Sequence, residues 1–109
     1  MAITYKNARQ AVGTSYTTVY TCPSATTALV VAAQFANIHA TNVGLASLQW
    51  LDSSASNAAT RLVPATPVDI QSALGGLDGP LTLEAGDALQ AKADAASTLE
   101  LSVSVAEMT

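Results

Sequence analysis

A chain of 109 residues with a net charge of −4 can hold one hydrophobic core and is too short for two. Its only cations besides the single histidine are Lys6, Arg9, Arg61 and Lys92, so no basic patch is available to neutralise phosphates, which argues against direct nucleic-acid binding. Half of the residues are apolar but only 11% are charged, well below the roughly one quarter usual for a soluble domain. A surface so poor in charge is expected to be covered in part by other protein.

The chain opens without a basic segment followed by an apolar one, so Met1-Ala2-Ile3 reads as an ordinary start and synthesis in a cytoplasm is expected. Residues 1–14 form an N-terminal edge strand or arm, with imperfect alternation over Ile3 to Val12, and residues 15–109 form one β-sandwich domain. Ser15 to Thr21 is rich in Thr, Tyr and Val, which suit a pleated surface, and Pro23 ends it. Cys22 has no internal partner, and beside Pro23 it reads as a small buried residue.

Thr26 to Ile38 is the longest apolar run and the expected central strand, closed by turn residues before it nears the length of a membrane helix. At period two it presents Leu29, Val31, Ala33 and Phe35 as a core face. Val30, Ala32, Gln34, Ala36 and Ile38 then form a smaller, weakly polar face suited to a neighbouring subunit. Leu45 to Asp52 follows, with Ala46, Leu48 and Trp50 on one face and Trp50 expected as the largest core contribution. Asp52 to Asn57 is a polar loop.

Thr60 to Ala65 is a short strand in which Pro64 marks an edge or a bulge, with Pro67 limiting the next pairing. Asp69 to Leu74 fits a helical turn or a strand equally. Gly75-Gly76 and Asp78-Gly79-Pro80 are turns leading into Leu81-Thr82-Leu83, with both leucines inward. Glu84 to Asp87 reads as a hairpin connection in which Gly86 supplies a positive φ. Ala88 to Ala93 turns Leu89, Ala91 and Ala93 inward, and Thr98 to Glu107 alternates without error, with Leu99, Leu101, Val103 and Val105 inward. Eight or nine short strands without a helix predict an all-β, antiparallel sandwich of jelly-roll type.

Catalytic chemistry is poorly supplied. His39 is the only histidine, no Gly-x-Ser-x-Gly elbow occurs, and zinc would need more nitrogen or sulfur ligands than Cys22 and His39 offer. Asp52, Asp69, Asp78 and Asp87 lie in expected turns without the spacing of a calcium loop. Glu84, Glu100 and Asp87 lack the aromatic platforms of a sugar-cleaving cleft. No catalytic residue, metal site or cofactor is therefore expected.

Five short stretches carry a resemblance: Val19-Tyr20-Thr21-Cys22-Pro23, Thr27 to Val31, Ala36-Asn37-Ile38, Leu48 to Asp52, and Leu81 to Leu89. In this order they resemble small β-sandwich virion proteins of tailed bacteriophages. The resemblance spans about residues 16 to 107 and implies a structural virion component, most simply a capsid decoration (cement) protein that binds as a homo-oligomer, with a trimer the expected form, over joints of the major capsid protein. A tail, collar or fibre-attachment sandwich is the alternative, and a glycan-binding module ranks behind both. Pro23, Asn37, Trp50 and Gly86 are then fold determinants: a strand stop, a strand-end cap, a core filler and a hairpin turn. The expected contacts are Ile3, Tyr5 and Arg9 on the N-terminal segment and Val30, Ala32, Ala36 and Ile38 on the small-residue face; neither a membrane nor a nucleic acid is expected as partner.

Overall fold

The computed structural model describes residues 2–109, so only Met1, the first residue of the expected N-terminal arm, lies outside the described residues. Nine strands follow in chain order: β1 (Ile3–Ala11), β2 (Thr17–Thr21), β3 (Thr27–Asn37), β4 (Gly44–Asp52), β5 (Ala58–Val68), β6 (Ala73–Gly75), β7 (Leu81–Leu83), β8 (Ala88–Ala93) and β9 (Leu99–Met108). One sheet runs β1-β9-β3-β6, with β7 also pairing β3; the other runs β2-β8-β4-β5. Because β9 occupies one side of β3 throughout, β6 and β7 share the other side, opposite Gln34–Ala36 and Ala28–Val30 respectively. Counted as one position, they complete two four-stranded antiparallel sheets in jelly-roll order. The expected fold class holds.

The N-terminal segment is an edge strand. β1 pairs with β9 along its whole length, from Ile3 opposite Met108 to Ala11 opposite Glu100.

The core lies between the sheets. Alternation along β9 sends Leu99, Leu101, Val103 and Val105 inward, where they meet Phe35, Leu83, Leu48 and Leu89. Phe35 is the largest fully buried side chain. Trp50, expected in that role, packs against the core but stays half-buried, because β4 carries it toward the Asp52 end of the sandwich.

The central strand departs from simple period two. Its ladder with β9 slips between Val30 and Ala32, leaving Val31 as an extra residue. Ala28 and Val30 point inward before the slip, and Ala33 and Phe35 after it. Val31, assigned by alternation to the core face, is 47% exposed, and Val30, assigned to the outer face, is fully buried. Val30 is thereby removed from the expected contact residues.

Two further expectations change. Residues 84–87 do not join a hairpin: β7 belongs to the first sheet and β8 to the second, so the segment is an arch between sheets. Gly86 does adopt φ +89 there, and its amide donates to Cys22 O at 2.9 Å while Cys22 N donates to Asp87 O at 2.8 Å. β5 also runs past Pro64 to Val68, two register shifts against β4 absorbing the interruption, with Ala65 at φ 48. Residues 69–72 form a turn, and only Ala73–Gly75 pairs as a strand.

Asp87 holds the arch. Its carboxylate is 1% exposed and accepts from the Ser53 amide at 2.9 Å, the Ser53 hydroxyl at 2.9 Å and the Glu84 amide at 3.0 Å. Burial alone would raise its pKa, but the three hydrogen bonds outweigh it and hold the carboxyl below its ordinary value. Asp87→Ala leaves these donors without their acceptor and is expected to cost about 2–4 kcal/mol, read as a lower midpoint in urea unfolding with an unchanged slope.

Candidate interaction surface

Side-chain direction follows from which residues pair. Opposite ends of the β1–β9 ladder show mutual bonding of Ala2 with Thr109 (3.1 and 3.0 Å) and donation from Val12 N to Leu99 O (3.0 Å). Even-numbered residues of β1 therefore aim their amides and carbonyls at β9, and odd-numbered ones aim theirs outward. Even-numbered side chains share the inner face with Val103 and Val105, while Ile3, Tyr5, Asn7, Arg9 and Ala11 share the outer face with Ala106, Ser104 and Ser102.

Across β9, β3 adds Leu29, Ala32, Gln34 and Ala36 to that outer face. The sheet thus brings together Ile3, Tyr5, Arg9, Ala32 and Ala36 of the expected contact residues. Ile38, 54% exposed, follows Ala36 just beyond the end of β3, its amide donating to Thr98 O. Tyr5 and Val31, at 78% and 47% exposure, line a shallow depression with Asn7 and Ser104. Arg9 and Glu100 are the only charges on this face of the three strands, so it is a weakly polar surface of small residues with one exposed ring.

The inner side of the same edge is closed by a polar clasp. Glu107 continues the inward series of β9, and its carboxylate accepts from the Tyr20 hydroxyl of the opposite sheet and from Lys6 Nζ at 3.0 Å. Hydrogen bonds from Tyr20 and Lys6 hold the Glu107 carboxyl below its ordinary range, whereas burial first and Glu107 second push the Tyr20 phenol well up. Alternation along β9 already places Glu107 inward; its two partners are legible only from the strand order.

The outer face of the second sheet differs. Gln90 donates to Thr18 Oγ1 (3.2 Å), Gln49 to Gln90 Oε1 (2.8 Å), and Arg61 to Gln49 Oε1 (3.3 Å), one row of side chains crossing all four strands. Lys92 and Arg61 lie 4.8 and 5.8 Å from the centre of the Tyr16 ring. This wall supplies its own partners.

Several of the groups considered for chemistry make hydrogen bonds within local turns and loops. His39 Nδ1 accepts from the Thr41 and Asn42 amides, each at 3.1 Å, inside the loop after β3. Asn37 caps that loop, donating to Asn42 O and Val68 O and accepting from His39 N. Asp52 accepts from the Ser54 amide and hydroxyl, and Asp69 from the Ile70 amide. Glu84 sits in the arch and Glu100 on the outer face of the first sheet. Among the described residues, no three of His, Cys, Asp and Glu gather as a metal site, and no helix is long and apolar enough to cross a membrane. Cys22 is buried, its thiol directed at Thr26 O and Leu83 O, and burial raises its pKa.

No protein-family model and no curated protein matches this chain. Among solved structures it is similar to a chain from Bacillus endospore appendages, described as forming a novel family of disulfide-linked pili. The two share 11% identity with a TM-score of 0.58 over 99% of this chain and 87% of the other. At that identity the likeness establishes the fold, an all-β sandwich also used by a structural protein.

Two measurements check these assignments. Since the Glu107 pKa is lowered by folding, its contribution is present above the unfolded value near 4.3 and is lost as pH falls through the folded value; Glu107→Gln should lower the melting temperature at pH 7 and flatten its fall below about pH 4.3. Cys22 should resist alkylation in the native protein and react at once in denaturant.

Proposed function

We propose that this chain is a structural component of a tailed-phage virion, a capsid decoration protein that binds as a homo-oligomer over joints between major capsid protein subunits. The observation that carries the reading is the outer face of β1, β9 and β3: small, weakly polar, nearly uncharged, and rimmed by exposed Tyr5, Ile3 and Val31. Covering such a face removes apolar area from water at little cost in desolvated charge. Spread across capsid joints, the added interface opposes outward pressure from packaged DNA. The sequence resemblance to phage sandwich proteins and the low charge content support the same reading, as does the use of every ionisable cluster described above for structure.

The reading makes the protein a non-enzymatic part of the particle, assembled in the host cytoplasm. A tail, collar or fibre-base sandwich is the second reading, and the likeness to a pilus chain favours it in one respect, since this fold also occurs in a filament. Linkage by disulfides does not carry over, because the only cysteine is buried.

Purified protein should bind emptied or expanded heads of its phage and leave compact precursor heads unoccupied, and virions should contain it at the copy number of the head lattice. Copy number matching a tail ring transfers the assignment to the tail, and absence from virions overturns both.

A further inference from the structure

The outward amides of Ile3, Tyr5, Asn7, Arg9 and Ala11 donate no hydrogen bond, and their carbonyls accept none, among the described residues. An edge of this kind is a template for another strand unless proline, a bulge, a short length or an exposed lysine guards it. Every other edge is guarded. β5 carries Pro64, Pro67 and two register shifts, β2 has five residues and a bulge, and β6 and β7 have three residues each. β1 has nine residues, no proline and an unbroken register, and the charge of its one lysine, 53% exposed, is neutralised by Glu107 across the inner face.

We propose that β1 is a self-pairing edge: two copies of this chain join antiparallel across a twofold axis at Asn7, fusing their first sheets into one. Backbone parity and side-chain chemistry select this register together. Only odd-numbered residues offer free groups, so pairing must match odd with odd, and slips of a single residue are excluded. With Asn7 opposite Asn7 of the second copy, all of β1 overlaps, Ile3 faces Ala11, Lys6 faces Ala8, and exposed Tyr5 lies beside the guanidinium of Arg9. A shift toward the N-terminus sets Lys6 against Lys6, and the larger shift toward the C-terminus sets Arg9 against Arg9. The centred register alone keeps the full strand with no like charges opposed.

This contact deepens the self-association in the reading above and rests on it only there, since it is tested without phage particles and either can fail alone. A twofold contact is closed and isologous, so it predicts dimers or assemblies of dimers in place of the trimer expected from the sequence.

Sedimentation of the full chain across a concentration series should show a reversible dimer. Asn7→Pro removes an amide that β9 does not use, so folding should survive, while dimer affinity should fall by about tenfold or more. Tyr5→Arg, which sets arginine against Arg9, should weaken the dimer similarly, and adding Arg9→Glu should restore it. Under mild oxidation Asn7→Cys should cross-link into a disulfide dimer, since directly opposed hydrogen-bonded residues stand about 5.5 Å apart at Cα, and Thr60→Cys on β5 should not. A monomer at all concentrations, a trimer, or a dimer indifferent to Tyr5→Arg and to Asn7→Pro overturns the proposal. Melting curves of each variant separate a lost contact from a lost fold.

Discussion

The extra residue at Val31 sets the geometry on which the first sheet depends. β3 has β9 on one side and β6 and β7 on the other, so the direction of its side chains decides what both neighbours can cover. With an uninterrupted ladder, strict alternation would send either Ala28 and Val30 or Ala33 and Phe35 outward, exposing half of the strand's apolar side chains. One unpaired residue lets both pairs face in, at the cost of a local kink and added twist. β7 pairs on one side of this kink and β6 on the other, so the strand position opposite β9 is split at the level where β3 bends.

Around this frame, buried polar side chains do the joining that the ladders cannot. Asp87 gathers the Ser53 and Glu84 amides where the chain crosses between sheets, and Asn37 draws together the loops at residues 39–42 and Val68. Glu107 ties the edge strands of the two sheets through Tyr20 and Lys6. Among the described residues no buried side-chain nitrogen or oxygen lacks a partner, which is the condition under which buried polar groups support a fold.

Much of this was readable from residue order. β9 follows alternation from Leu99 to Val105 and β8 from Leu89 to Ala93, and Asn37, Pro64 and Gly86 mark a cap, an interruption and a positive φ where the local rules place them. The phase of β3 was not readable, since a bulge changes which residue faces inward without changing composition, and Leu29, Val30 and Val31 are interchangeable in hydrophobicity. The arch at 84–87 has the residues of a hairpin turn; whether two strands so joined pair with each other depends on β2, β3 and β4, which lie far away in sequence. Of the outer face, Ala32 and Ala36 were legible as candidates because the second half of β3 keeps simple alternation, Ile3, Tyr5 and Arg9 only as members of an imperfectly alternating N-terminal segment, and Val30 was lost to the kink.

The row from Thr18 through Gln90 and Gln49 to Arg61 has a consequence for how the second sheet is held together. Rungs of amide and guanidinium link the four strands sideways, each side chain giving a donor or acceptor to its neighbour on the next strand. The molecule is therefore two-sided: the outer face of one sheet is linked across all four strands by its own side chains, and the outer face of the other is weakly polar and nearly uncharged.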